Sequence, residues 1–390
     1  MIKTKEVQAT AKVRLYPSAE QEQLLKQFCG AARWVYNWGL QRWKERQVEG
    51  LSTSPYELVN ELAIVKYCEP TKWLQEINAQ GLQQALLNLG VAYNRFFKKQ
   101  AQYPQFKKRT RRDSFSFPQA VTVDVSEKVI KFPILKEMPF RGNFKHDSVV
   151  KTVTIVKEGD GWYACIRTIK TVTERTPNAK SIGIDMGVAT MATIHDGRKA
   201  LGFPHHSGLD KIIKRINILA ERLSRKRRVD KVNSKNREKA RAKLAKAYAR
   251  LTNMRKDHLH KVSSALVKRY DAIIVEDLKI KNMTKSAVGT VEEPNMRSSA
   301  KRGLNRVISK QAWGLFFRML EYKCNWYGRT FIKVNPVNTS RTCPACKHIA
   351  KENRESQAVF KCVACGHQDH ADSNAAFNIR QRGLVGLVGV

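Results

Sequence analysis

Three acidic residues stand at the ends of apolar stretches, where a fold presents its chemistry. Asp185 closes the run Ser-Ile-Gly-Ile-Asp, Glu276 closes Ala-Ile-Ile-Val-Glu, and Asp372 opens Ala-Asp-Ser-Asn-Ala-Ala-Phe-Asn-Ile. An apolar strand anchors its backbone and leaves its last side chain free to enter a cleft, so three such acids can converge. Clustered carboxylates repel one another and gain proton affinity unless a cation neutralises them. Hard oxygen ligands of this kind suit magnesium or manganese. Two such ions roughly 3.5 to 4 Å apart activate a water against a phosphodiester and stabilise the leaving oxygen, which yields a 3′-hydroxyl and a 5′-phosphate. No nucleophilic side chain is required. A strand-end acid taken singly is more often a solvated or capping group, so the weight rests on the three together. Asp277, next to Glu276, is expected on the opposite face of its strand in a structural role.

A second constellation lies just before Asp372. Cys343-Pro-Ala-Cys346 and Cys362-Val-Ala-Cys365 are two CxxC knuckles at a spacing suited to a zinc ribbon. Four thiolates complete a tetrahedron around one Zn2+ and leave no open position, so the role expected of that ion is structural. A redox pair is the competing reading for any one CxxC, and two pairs argue against it. His348, His367 and His370 read as surface or nucleic-acid-facing residues, and Cys29, Cys68, Cys165 and Cys324 as single cysteines packed in a reducing compartment.

The composition says what such a centre acts on. Lys and Arg number 72 against 34 acidic residues, a formal net charge of +38, and a charge of that size is eased by a polyanion on the surface. A basic chain that merely adheres to nucleic acid, or a ribosome-associated factor, fits the charge equally well. No window approaches the ~18 to 20 apolar residues of a membrane span, and the start lacks a signal peptide's apolar centre. The expected setting is the cytoplasm, with nucleoid association.

The elements that must position these residues follow from periodicity. Residues 8–16 alternate as a strand, Ser18 with Gln21 forms a capping box, and residues 19–48 read as two tandem helices broken near Gly30. Helices follow over 55–67 and 74–97. Residues 103–112 interleave aromatics with Lys107, Lys108 and Arg109, as a surface tracking a phosphate backbone would, although a solvated linker fits equally. Residues 114–170 give short strands that suggest a small β-barrel completed by the first strand. Two strands turn around Gly187, and residues 209–268 predict a basic helical hairpin turning near 230–234, with Arg225, Arg227 and Arg228 on a nucleic-acid groove. A buried strand ends at Glu276, residues 279–306 read as an irregular loop, and a helix and strand follow through 313–336. Residues 383–390 read as a frayed tail.

Taken with these motifs, the runs RLYPSAEQEQLL, RWVYNWGL, YPQFKKRTRRDSFSFP, GIDMGVAT, IIVEDLKIKNM and the block from Asn338 to Ile379 closely resemble the TnpB (OrfB) family of RNA-guided DNA endonucleases from bacterial insertion sequences, apparent ancestors of type V CRISPR nucleases. The resemblance spans most of the chain. It implies an α/β multidomain fold: a wedge β-barrel (1–16 and 113–178), an inserted helical recognition domain (17–112), an RNase H-like (RuvC) nuclease domain (179–342 and 366–382) and an inserted zinc ribbon (343–365). It implies that Asp185, Glu276 and Asp372 hold magnesium and catalyse, and that the four cysteines hold zinc. It also implies a guide RNA from the transposon end, a double-stranded DNA target and a short transposon-adjacent motif. Candidate readers of that motif are Tyr36, Gln80 and Gln84, with core packing the competing role for Tyr36. His370-Ala371 before the last Asp departs from the residues common there. The oligomeric state is open, with a monomer favoured. A nuclease-dead regulator of transposition and a conventional DNA transposase are the competing functions; the retained acids argue against the first.

Overall fold

Ser18 turns the first strand into the first helix. Its side chain accepts a hydrogen bond from the Gln21 N–H and the Gln21 side chain reaches back to the Ser18 N–H, so β1 (Thr4–Leu15) hands over directly to α1 (Ala19–Val48). In the computed structural model, which describes residues 3–109, 113–144, 149–159, 161–176, 178–187, 190–204, 206–226, 234–285 and 298–388, the chain divides into two compact units. One is Glu6–Thr171 and the other Val172–Val390 with Met1–Lys5.

In the first unit the expected break at Gly30 is absent and α1 is one helix of 30 residues. A mid-helix glycine costs about 1 kcal/mol, and the burial of Phe28, Cys29, Ala31, Val35 and Leu40 on either side outweighs it. A second capping box, Ser54 with Glu57, starts α2 (Pro55–Val65). Asn78 caps α3 (Ala79–Phe97) through the Gly81 N–H. The helix predicted from Leu74 therefore starts later, after a 3-10 turn over Lys72–Glu76.

The strands β2 (Ser114–Phe117), β3 (Thr122–Asp124), β4 (Val129–Phe132), β5 (Lys136–Arg141), β6 (Val149–Glu158) and β7 (Gly161–Thr173) join β1 in a seven-stranded sheet of order β2-β6-β7-β1-β5-β4-β3. The first strand of the chain is central, as predicted. Among the described residues the sheet is an open run with β2 and β3 at its ends, a half-barrel short of the closed barrel expected. Helices cover it instead: Phe28 of α1 packs 5.0 Å from Phe115 of β2, and a Cβ on Gly81 of α3 would meet the Phe115 ring at 2.0 Å. Residues of α1, α3 and the sheet thus share one buried cluster. β5 escaped the sequence reading because Pro139 interrupts an alternation that buries Met138 and Phe140.

The second unit is built on β8 (Ser181–Asp185), β9 (Ala192–His195) and β10 (Ala200–Phe203), then α4 (Leu209–Ser224), α5 (Lys235–Arg269), β11 (Ala272–Glu276), α6 (Ile280–Met283), α7 (Ser298–Gln311), α8 (Trp313–Trp326), β12 (Thr330–Val334), β13 (Val359–Lys361), β14 (Gln368–His370) and α9 (Ala371–Val388). Its sheet runs β10-β9-β8-β11-β12, with β8, β11 and β12 parallel. Ile182, Ile184, Ile273 and Val275 point to the face covered by α5 and α8, where Leu259, Leu266, Phe316 and Leu320 meet them. The alternate positions face α9. There Gly183 is essential, because a Cβ would stand 2.1 Å from the Ala376 carbonyl oxygen of α9.

Two expectations are corrected here. The stretch read as an irregular loop contains α7 at its end, although residues 286–297 lie outside the described residues. The predicted frayed tail is helix to Val388, held where Gly383 lies against Ile274. The hairpin of α4 and α5 forms, with Ser234 capping α5, while Arg227, Arg228 and most of the predicted turn lie outside the described residues. Among the described residues no helix is long and apolar enough to cross a membrane.

Because backbone stands in the way at Gly183, Gly183→Ala is expected to lower unfolding free energy by about 2 kcal/mol or more, in the upper range for overpacking, measured by urea denaturation.

Candidate active site and metal centre

Strand parity decides where the acids go. β8 and β11 pair in parallel through Ile184 opposite Val275, and Asp185 and Glu276 are the next residue on each strand. With Ile184 and Val275 committed to the α5 and α8 face, both acids turn toward the face that α9 covers, and Asp372 lies in the first turn of α9. Asp277 falls on the other side, where its carboxylate accepts from Lys279 Nζ at 2.5 Å.

The electrostatics record this convergence. Burial pushes the Asp185 carboxyl up to about 7, and the nearby charges of Glu276 and Asp372 push the same way; Arg354 opposes them. Burial likewise raises Glu276, against a hydrogen bond that Thr339 Oγ1 donates to Glu276 Oε1 at 2.5 Å. Arg354 Nη2 stands 3.8 Å from Asp372 Oδ1. Arg354 acts on Asp185 and Asp372 and Arg382 on Glu276, so two guanidinium groups stand against three acids, and a deficit of positive charge is the condition under which carboxylates take up a hard divalent cation. The donor set suits magnesium or manganese. The three acids do not all bring oxygens within 4.8 Å of one another, since the four cysteines are the only such group of three or more among the described residues.

Neutral side chains hold this corner. Asn378 Nδ2 of α9 donates to the Thr339 carbonyl at 2.9 Å and the Thr342 carbonyl at 2.8 Å, and Asn374 Nδ2 also reaches Thr342. The segment carrying Thr339 is thereby tied to the helix carrying Asp372. Thr339, Asn374, Asn378 and Arg354 were not singled out from the sequence. Asn374 and Asn378 share a helix face at i, i+4, and polar residues in a stretch otherwise apolar are the signal that could have pointed to them.

The four cysteine sulfurs lie within 4.8 Å of one another, with Cys343 to Cys365 and Cys346 to Cys362 each at 3.6 Å. A tetrahedron with Zn–S bonds of about 2.3 Å has edges near this length, so the residues fit zinc. The two knuckles turn alike. Cys343 N–H donates to the His348 carbonyl and Cys362 N–H to the His367 carbonyl, and Lys347 and Gly366 take positive φ of 64° and 73°. Asn353, fully buried, bridges them by donating to the Arg341 and His348 carbonyls and accepting from the Val363 N–H. Its neighbour Arg354 is the residue that reaches Asp372. The histidines stay out of the cluster. Of the single cysteines, Cys29 and Cys324 are buried as expected, whereas Cys68 is exposed.

The nucleic-acid candidates are dispersed. Tyr36 is buried in α1 with the Lys107 ammonium 3.8 Å from its ring centroid, while Asn37 holds the Lys107 backbone through two hydrogen bonds. Core packing is the role its burial favours. Lys107, Lys108 and Arg109 are exposed; Gln80 is half-buried, and Gln84, also half-buried, donates to Asn88 at 3.2 Å. Arg225 is exposed and paired with Glu221.

A partly parallel sheet with acids at adjacent strand ends, covered on one face by α9 and accompanied by a four-cysteine module, defines a mixed α/β protein. Family descriptions match accordingly: "Probable transposase" over residues 163–287, "Cas12f1-like, TNB domain" over 313–379 and "Helix-turn-helix domain" over 2–50, the last a region that folds here as one strand and one helix. The chain is 39% identical over 374 residues to "Putative RNA-guided DNA endonuclease InsQ" of Escherichia coli (strain K12), covering 95% of this chain and 91% of the relative. It is 30% identical over 390 residues to a Streptomyces pristinaespiralis protein of the same description, covering 97% and 90%. The fold also matches a Cas12f1 chain solved as a complex with sgRNA and target DNA, at a TM-score of 0.56 and 14% identity over 96% of this chain and 99% of that one. The chain belongs to the TnpB (OrfB) family.

The raised Asp185 gives a signed pH effect. A carboxyl that holds its proton more tightly folded than unfolded contributes stability that is full below the unfolded value and lost as pH rises through the folded one. In buffer without added divalent cations, the melting temperature is therefore expected to fall between about pH 4 and pH 7, and Asp185→Asn to flatten that slope. An unchanged slope in the variant counts against the buried cluster.

Proposed function

We propose that the protein is an RNA-guided DNA endonuclease, hydrolysing DNA phosphodiesters after a guide RNA from the transposon end pairs with the target and a short adjacent motif is recognised. In this reading the unit from Val172 onward contains a RuvC-type nuclease domain with an inserted zinc ribbon, and the unit of Glu6–Thr171 contains the wedge and recognition elements. The observation that carries it is the placement of Asp185 and Glu276 side by side on the face that α9 closes with Asp372, in a chain with a net charge of +38. The names of the relatives in E. coli and Streptomyces support the same activity.

Asp185, Glu276 and Asp372 would hold magnesium or manganese, and such ions supply an activated water and a counter-charge for the leaving oxygen. The protein's own part is positional. Thr339 fixes the Glu276 carboxylate by its hydroxyl, and Asn378 fixes the Thr339 backbone to α9, so two of the three acids move as one body. Asp185, its proton affinity raised by burial and by its neighbours, must lose its proton before it can ligate. Arg354 stands beside Asp372 and would meet a non-bridging phosphate oxygen of bound DNA. Cys343, Cys346, Cys362 and Cys365 would hold zinc, which would fix the module that keeps Arg354 in reach. Guide pairing reads sequence, so the protein's surface need only grip backbone shape, and its excess of cations suits that task.

Glu276→Ala is expected to abolish guided cleavage of a plasmid target, a loss of at least about a thousandfold, while the variant still co-purifies with its guide RNA. Cleavage at the parent rate would remove the assignment, and strand joining by the parent protein would favour a transposase. Arg354→Gln is expected to keep the fold and slow cleavage about ten- to a hundredfold, as removal of one charge-stabilising donor does. Cysteine substitution offers a separate check: Cys343→Ser is expected to lower bound zinc, measured by elemental analysis, from one equivalent to near zero and to destabilise the module.

A further inference from the structure

A cavity of about 570 Å³ opens between α4, α5 and α7, away from the acids and the cysteines. Its size lies in the ~300 to 1,000 Å³ range of small-molecule sites. Ile216 and Leu251 line its apolar part, and Tyr248, half exposed, stands at its edge. Two cations complete it, Arg255 and Arg306, and no carboxylate does. Arg255 is half-buried, and its Nε is buried without a hydrogen-bond partner, which is costly for a guanidinium unless an acceptor arrives from outside the chain. Arg306 is exposed and makes no hydrogen bond or ion pair with the described residues. The helix that supplies Tyr248 and Arg255 carries twelve Lys and Arg against two acids, so an acidic protein partner and a polynucleotide are both attracted, but an aromatic face beside two unpaired guanidinium groups matches a base with its phosphate.

We propose that this cavity takes one unpaired nucleotide of a bound nucleic acid, its base against Tyr248 and the apolar wall and its phosphate on Arg255 and Arg306. The site lies outside the carboxylate centre and does not depend on cleavage. A helical hairpin would grip the backbone of any duplex by charge alone; the cavity adds a contact that only an unstacked base can make. The ligand's chemistry, an aromatic base joined to a phosphodiester, is common to single-stranded RNA and to a displaced DNA strand.

The test uses the full-length protein and fluorescence anisotropy with three labelled probes: a 12-nucleotide oligouridylate RNA, a 12-nucleotide oligothymidylate DNA and a 20-base-pair DNA duplex. Tyr248→Leu combined with Arg255→Gln is expected to weaken at least one single-stranded probe fivefold or more and leave the duplex within twofold. Tyr248→Phe, which keeps the ring, is expected to bind as the parent does. A loss confined to the RNA probe identifies RNA as the source, and one confined to the DNA probe identifies the displaced strand. Unchanged binding of both single-stranded probes, or an equal loss for the duplex, overturns the proposal. Should the double variant unfold, exposed Arg306→Gln gives the same reading alone, with a twofold or greater selective loss expected and equal binding overturning it. Because nothing here is read by cleavage, an inactive nuclease site and an empty nucleotide site give different results.

Discussion

Three carboxylates in a shielded corner repel one another, and the second unit is arranged so that they cannot separate. Two of them are the last residues of neighbouring parallel strands, whose ladder sets their spacing, and the third begins a helix whose backbone lies on β8 at Gly183. None of these attachments depends on the acids themselves. The strain is met by the apolar faces on either side of the sheet, by Thr339 donating to Glu276 and by the charge of Arg354. A hard cation entering such a corner would relieve repulsion that the fold already bears.

The cysteine module is part of the same arrangement. It interrupts the chain between Glu276 and Asp372, and its two knuckles are joined by Asn353 through three hydrogen bonds. The next residue is Arg354. The contacts run in series from the sulfurs to the acids: the knuckles hold Asn353, and its neighbour Arg354 faces Asp372, so an ion held by the four cysteines would have a mechanical path to that acid.

How much was legible differs by element. The capping boxes at Ser18 and Ser54 and the parallel strands ending at Asp185 and Glu276 read directly from pattern, because hydrogen-bonding caps and two-residue periodicity are local. The continuity of α1 through Gly30 did not, since tertiary burial of Phe28 and its neighbours overrode a local propensity. The expected barrel became a sheet covered by helices, and periodicity cannot tell which partner covers a buried face. β5 was hidden by Pro139, and the final turns of α9 by Gly383, which serves close packing against Ile274.

The sequence by itself singled out the candidates for the chemistry. Metal ligation restricts residue type so severely that acids at strand ends and cysteines in paired knuckles stand out without coordinates. Only the tertiary structure decided what holds them: Thr339 under Glu276, Asn378 across to the Thr339 backbone, Arg354 beside Asp372, and Gly183 beneath α9. These contacts join residues far apart in the chain and follow no period, so nothing local to any of them announces its partner.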